Sequence, residues 1–480
     1  MNIASTTFLL FGLIVAVAYN LAKPVVWRKA VLVMANIAFL LSFSLVFSTW
    51  IPYLFFLILG YIGYLLARTR RNLAYIPILF AVLTLYFWLK KYTFFPEGMF
   101  LRSLYVSLGL SYVLFRVLHL LIDTYEGEID EFIGPVTFFN YTMNFTSIVS
   151  GPIQLYKDYA ASQSTAQRPR LDIFDIGFAT ERIVLGYFKV NLLGYFFKSF
   201  HEQALTSLGS ISGAPFLQRA VTFAMVAVYY PLFLYCNFSG YMDIVIGVAG
   251  LFRLKLPENF DRPFESKSFL DFWGRWHISL SSWLKTYVYS PLLKVLMVRF
   301  PNPSLVPYLG TLSFFVTFFL IGLWHGRTSI FAVYGIMLGL GVSVNKLYNI
   351  GMGNLMGRKS YKALRARYWY QAVARGCTFT YFCVSLFFFW SQWKQLSQMV
   401  GSLGTMAIGA GLLVLFAAST VILAAYEAVR SAMLTVHVDQ TPLLSSRYTR
   451  VVISTTLLVV TSVFMLVLSG PAPEIVYKAF

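Results

Sequence analysis

Charge is what this chain has least of. Only 12% of its 480 residues are Asp, Glu, Lys or Arg and 58% are hydrophobic, against about 25% charged in ordinary soluble domains. So few charges cannot cover the surface of a water-soluble protein of this length, which excludes a soluble globular enzyme. Acid is scarcer than base, 19 residues against 38, and the net charge is +19. The excess does not point to nucleic acid, because the basic residues sit in short loops between apolar runs, as the positive-inside rule describes. In such loops they also attract anionic lipid headgroups. Cysteine is limited to Cys236, Cys377 and Cys383, in or beside apolar runs and without paired spacing, so neither a disulfide framework nor a metal site follows. Phosphate-cradling G-x-x-x-x-G-K-[ST] loops, G-x-S-x-G elbows and H-E-x-x-H helices are all missing. Nucleotide hydrolysis, serine nucleophiles and zinc chemistry therefore have no support, and no bound metal or cofactor is expected.

What is present is apolar sequence from end to end: Thr6–Tyr19, Ala30–Phe47, Trp50–Leu66, Tyr75–Leu89, Ala220–Leu234, Leu312–Trp324, Gly404–Ala425 and Val451–Leu468. Several approach the roughly 20 residues that cross a hydrocarbon core as a helix. With merged stretches counted, the expectation is an all-α, polytopic membrane protein of about 11 to 13 spanning or half-spanning helices, forming one domain over residues 1–480. The first basic residue is Lys23, so Thr6–Tyr19 reads as a retained helix and not a cleaved signal. The basic loops Lys23–Lys29, Arg68–Arg71 and Arg358–Arg367 read as cytoplasmic. That choice places the N-terminus and the tail 469–480 outside.

Histidine is scarce, with five in the chain. His325 closes the run "LSFFVTFFLIGLWHG". An ionisable group at such depth is costly and faces an internal cavity, and imidazole suits a general base at neutral pH. Two readings stay open from position alone, a base or a histidine that packs between helices. His277 lies in "SFLDFWGRWHISLSSWLKTYVYSPL", where Trp276, Leu280, Trp283 and Tyr287 form one stripe at helical spacing. The expectation is an interfacial amphipathic helix with His277 and Ser281 on one face. Arg116, His119 and Asp123 are three and four apart and read as an ion-pair ladder at a helix end. Asp243, in "CNFSGYMDIVIGVAG", is a proton-relay carboxylate or an acceptor that holds helices together. His201 and His437 read as loop residues, and 157–182 as a surface loop or interfacial helix.

Taken in order, "LYCNFSGYMDIVIG", "LPENFDRPFESKSFLDFWGRWHISLSSWLKTYVYSPL" and "FLIGLWHG" resemble the membrane-bound O-acyltransferase family. The resemblance is strongest over 108–340 and to the bacterial branch that acylates cell-envelope polymers, typified by alginate O-acetylation and teichoic-acid D-alanylation. It implies many helices around a central funnel, the essential histidine at His325 and a second at His277. It also implies a donor or oxyanion region near Asn237, Trp276 and Trp324. His119 stands where the resemblance leads one to expect a small polar residue. The terminal "EIVYKAF" looks like an aromatic motif of envelope acylation machines, which implies an acyl relay at Tyr477 with Phe480 seated behind it. The implied activity is transfer of an acyl group, acetyl first, from cytoplasmic acetyl-CoA or an acyl-carrier thioester to an envelope polysaccharide, in the bacterial cytoplasmic membrane and with an extracytoplasmic acyltransferase or esterase-like partner. D-alanyl transfer from a carrier protein is the alternative. A proton-coupled transporter lined by His325, His277 and Asp243 is the rival of another class, disfavoured by the lack of inverted repeats.

Overall fold

A peptide chain in lipid must satisfy its backbone within each segment, and the computed structural model of the protein, which describes residues 1–93, 95–163, 171–438, 441–443 and 446–468, is built of helices accordingly. They are α1 (Thr6–Leu21), α2 (Val25–Leu41), α3 (Ile51–Ala67), α4 (Asn72–Leu89), α5 (Leu110–Glu126), α6 (Pro135–Thr142), α7 (Tyr156–Gln163), α8 (Ile173–Tyr187), α9 (Tyr195–Ser207) and α10 (Phe216–Leu251). Then come α11 (Phe269–Trp273), α12 (Ile278–Leu284), α13 (Ser290–Arg299), α14 (Val306–His325), α15 (Ser329–Met356), α16 (Arg358–Ala366), α17 (Tyr368–Trp390), α18 (Trp393–Leu403), α19 (Thr405–Thr435) and α20 (Arg447–Leu468). The strand pairing among the described residues is a ladder of two residues a side, His437–Val438 against Thr441–Pro442. The all-α expectation holds. Among the described residues eight helices are long and apolar enough to span a membrane, among them Phe216–Leu251, Pro303–His325 and Ser329–Met356. At 16 and 17 residues, α1 and α2 reach about 25 Å, short of the roughly 30 Å core.

Contacts divide the chain into two compact units whose segments interleave in sequence. One comprises Met1–Asn191, Phe238–Glu258 and the chain from Met465; the other comprises Leu192–Asn237 and Asn259–Phe464. The first is organised around Arg116, which leaves the expected ladder and lies 1% exposed in α5. Its guanidinium donates to the Thr142 carbonyl at 2.9 Å and to Ser147 Oγ at 2.6 Å. Carbonyl and hydroxyl dipoles thus satisfy a cation whose burial would otherwise be costly. His119 keeps its part of the ladder: Nδ1 lies 3.2 Å from Asp123, while Nε2 accepts the Tyr156 N–H at 2.8 Å. Of the two roles open to Asp243, the structure shows the acceptor. Arg182 Nε donates to it at 3.1 Å and Lys189 Nζ at 2.7 Å. The polar stretch 157–182 runs into α7 and α8, the latter capped by Asp172, which accepts the Asp175 N–H at 2.7 Å.

In the second unit α14 and α15 cross with backbones in near contact. A Cβ placed at Gly322 would fall 2.1 Å from Gly335 Cα, and one at Gly335 would fall 2.5 Å from the Phe319 carbonyl oxygen. Small residues are what allow helices in a membrane to approach so closely. Beside them α17 and α19 are tied by an ion pair, buried Arg375 with Glu427, and Arg430 of α19 reaches Glu265 of the turn Pro263–Glu265 at 3.2 Å. The crossing is open to test. Gly322→Leu forces the backbones apart and is expected to cost about 1–3 kcal/mol or more, read as a lower thermal midpoint or loss of monodisperse protein in detergent. Gly351→Ala, with nothing within 4 Å of the added carbon, is expected to match the wild type. Equal stability of the two variants would contradict the close packing.

Candidate active site

The segment around His277 is not the single amphipathic helix expected from its spacing. Ser268 caps a short α11 by accepting the Asp271 N–H at 3.1 Å, the chain breaks over Gly274–His277, and α12 starts at Ile278. His277 itself takes left-handed backbone angles, φ 47° and ψ 51°. Such a conformation at a non-glycine residue costs of order 1–3 kcal/mol and persists only where the surroundings impose it. Here they do. Asp261 N–H donates to the Arg275 carbonyl at 3.0 Å and Ile278 N–H to the Asn259 carbonyl at 3.1 Å. Ser279 N–H donates to Asn259 Oδ1 at 2.9 Å, and Phe260 pairs with Trp276 as an isolated bridge. The stripe seen in the sequence is nonetheless buried as a stripe, since Trp276, Leu280 and Trp283 are each 5% exposed or less.

Asn259 carries both contacts that start α12, and sequence reading passed over it. Its signal was an Asn inside the Pro-bounded segment "LPENFDRP", where an amide oxygen can stand in for a backbone acceptor.

His277 is buried, outside the eight spans, and burial pushes its imidazole down to about 3, so it is neutral at ordinary pH. His325 is the last residue of α14 and 2% exposed. Its ring is enclosed by Trp324 at 4.7 Å, Phe389 at 5.1 Å and Tyr334 at 5.7 Å between centroids. Although the two histidines are 48 positions apart in sequence, both are buried, and Ile278, next to His277, lines the same recess as Ile321, one turn before His325. Being the end of a 20-residue helix, His325 stands about 30 Å from the start of α14.

Trp276 is wedged between Phe272 at 5.5 Å, Phe382 at 5.1 Å and Phe260 at 5.0 Å, a packing role that fixes the break. Tyr235 of α10 packs on it at 6.2 Å, and Asn237, two residues on, is fully buried. Trp324 is half-buried beside His325. Tyr477 and Phe480 lie outside the described residues. His201 is not a loop residue: it belongs to α9, is buried, and packs on Tyr230 at 5.3 Å and Trp390 at 4.9 Å. The apolar face of α9 draws it inward, and burial pushes its imidazole down to about 4. A recess of about 360 Å³ adjoins the site, with Ile278 and Ser281 of α12 on one wall and Thr317 and Ile321 of α14 on the other. Two buried imidazoles, aromatic walls and an adjoining recess can accept a proton from a hydroxyl while excluding bulk water.

A sequence profile of the membrane-bound O-acyltransferase family matches residues 83–391, more than half of the chain. The chain belongs to the membrane-bound O-acyltransferase family. His277, His325, Asn237, Trp276 and Trp324 all fall inside the matched range. The chain is similar to a teichoic acid D-alanyltransferase of Bacillus subtilis (strain 168), 26% identical over 60% of this chain and 69% of the relative. It is 32% identical to the Streptococcus thermophilus teichoic acid D-alanyltransferase over 51% of this chain and 58% of the relative. It is also 28% identical to a probable alginate O-acetylase of Pseudomonas fluorescens, over 52% and 47% of the two chains. The match to the last two thus spans less than two thirds of their length. Family and helices together make this O-acyltransferase a multi-pass membrane protein.

Removing the amide that starts α12 tests how the break is held. Asn259→Ala leaves the Ser279 N–H buried without its acceptor and is expected to lower stability by about 1–2 kcal/mol. Acyl-transfer activity should fall with it. Thermal unfolding of the detergent-solubilised chain checks this, and an unchanged midpoint would rule the clamp out.

Proposed function

We propose that this O-acyltransferase takes an acyl group, acetyl in the first reading, from a cytoplasmic thioester and delivers it across the bacterial cytoplasmic membrane to a hydroxyl of a cell-envelope polysaccharide or related polymer. The observation that carries the reading is that His325 is buried among aromatic rings and that neighbours of both His277 and His325, Ile278 and Ile321, line one recess, within the family's matched range. His325 accepts the proton of the acceptor hydroxyl, and the oxygen attacks the thioester carbonyl carbon. The tetrahedral intermediate collapses with cleavage of the C–S bond, and the thiolate leaves with the proton held by His325. His277 and Asn237 orient the donor and stabilise the oxyanion. In this scheme residues 358–367 face the cytoplasm and both termini lie outside, with an extracytoplasmic esterase-like partner to receive the acyl group. D-alanyl transfer from a carrier protein is the second reading, favoured by the teichoic acid D-alanyltransferases among the relatives.

The expected outcome for His325→Ala is loss of acyl transfer by about 10²-fold or more, the scale of a lost general base, with the protein still inserted at wild-type abundance. His277→Ala is expected to lose less. Transfer of radiolabelled acetate to membrane or polymer fractions reads both variants, and a fully active His325→Ala protein would overturn the assignment.

A relay at Tyr477 follows from its chemistry. A phenol is easier for imidazole to deprotonate than an alkyl alcohol, and its ester has the better leaving group for the next transfer. Gly470, Pro471 and Pro473 let the chain turn back after α20. Tyr477→Phe is expected to block delivery to the polymer while donor binding survives. If polymer acylation continues at the wild-type rate, the relay lies on another protein.

A further inference from the structure

In the first unit the end of α1 is fastened to the end of α10. Asn20 Nδ2 donates to the Leu251 carbonyl at 3.0 Å, and the buried ring of Tyr19 lies edge-on to Phe252 at 5.7 Å. Arg28, in the first turn of α2, brings its guanidinium to 5.5 Å from the centroid of the same tyrosine ring. Arg253 follows Phe252 just beyond α10, at a left-handed φ of 60°. Around this junction Tyr19 Oη, Arg28 Nε and both Nε and Nη2 of Arg253 are shut off from solvent with no hydrogen-bond partner. Among the described residues neither guanidinium forms a hydrogen bond or an ion pair.

A buried donor left without an acceptor is costly, the more so on a charged group. A left-handed residue at a helix end is usually glycine, so the backbone at 253 is held against the preference of an arginine. The negative end of the α10 dipole accounts for a cation at this place, but not for buried nitrogens with nothing to donate to. The identity of those nitrogens selects an anion. Nε and Nη2 form one edge of a guanidinium, and their parallel N–H bonds match two oxygens of a single phosphate. Arg28 Nε and the Tyr19 hydroxyl supply two more donors.

The surroundings select the molecule that carries the phosphate. Trp27, next to Arg28, is exposed and donates its indole N–H to the Ala18 carbonyl at 2.9 Å, the placement of a ring at headgroup level. Val17, Leu21 and Val26, on either side of the same turn, are exposed and apolar, a surface that suits acyl chains. A lipid brings phosphate and chains together, and basic pockets between membrane helices hold such headgroups. Neither arginine pairs with a carboxylate among the described residues, so the ammonium of a zwitterionic headgroup would meet cations.

We propose that Tyr19, Arg28 and Arg253 form a binding site for the phosphate of an anionic phospholipid, whose acyl chains lie on the apolar surface of α1 and α2. The bound lipid ties three helix ends together, and the inference does not depend on the acyl-transfer reading.

The test uses the full chain, delipidated in detergent, and measures equilibrium binding of phosphatidylglycerol, phosphatidylcholine and inorganic phosphate. Wild-type protein should bind phosphatidylglycerol saturably and more tightly than phosphatidylcholine. The double variant Arg28→Gln/Arg253→Gln should bind it at least about tenfold more weakly, the scale of lost charge-assisted hydrogen bonds. Tyr19→Phe keeps the ring and its packing, so it serves where the double variant fails to fold, and it should bind about fivefold more weakly. Arg71→Gln, an exposed arginine before α4, should bind as the wild type does. Wild-type affinity in either site variant overturns the proposal. Equal affinity of the wild type for the two lipids overturns it as well. Displacement of the lipid by inorganic phosphate at equal concentration overturns it by making the site one for a soluble anion.

Discussion

A peptide N–H or C=O buried without a partner costs about 1–3 kcal/mol, and the site depends on how the chain meets that cost where it stops being helical. Between α11 and α12 the helix is abandoned for four residues, and the Arg275 carbonyl and the Ile278 and Ser279 N–H groups are paired with the segment 259–261. Because Asn259 supplies a backbone and a side-chain oxygen to successive N–H groups, His277 can sit at a left-handed turn inside the packed interior. A continuous helix over the same residues would have put the imidazole on the face of Ser281, about 100° round from Trp276. The break is therefore what makes it a site residue.

His325 reaches the site by a different route. It needs no break, since it ends α14, but α14 is placed by the Gly322–Gly335 crossing with α15. That crossing aligns two antiparallel helices so that one pair of ends forms a basic cleft. At its other end α14 carries His325, enclosed by Tyr334 of α15 and Phe389 of α17.

Much of this was legible in residue order, for physical reasons that differ by element. Apolar run length is a local property and directly reports spanning helices, so the helical class and the Pro303–His325 span were visible. His325 stood out because a histidine inside such a run has few inexpensive explanations. The stripe Trp276, Leu280, Trp283 and Tyr287 was read as the apolar face of an interfacial helix, whereas its first three members are buried and the chain breaks before α12, because periodicity records which side chains share a face and not whether the backbone between them stays helical. The role of Asn259 depends on pairing across some twenty residues and has no periodic signature. His201 was misread as a loop residue because polar Lys198, Glu202 and Gln203 surround it in sequence, whereas one face of α9 packs inward against Tyr230 and Trp390. The division into two interleaved units is likewise a property of contacts that no composition shift marks.

The central claim is that this chain moves an acyl group from a cytoplasmic thioester to an acceptor on the other side of the bilayer. Its most direct test is a compartment measurement in sealed membrane vesicles of known orientation, made from cells expressing the full chain. Acetyl-labelled coenzyme A is confined to the cytoplasmic side and label is followed on the polymer of the opposite side. The account predicts that label reaches the polymer in step with release of free coenzyme A in the donor compartment, while the vesicles stay impermeable to coenzyme A. Label that reaches polymer only when donor and acceptor share a compartment would contradict it.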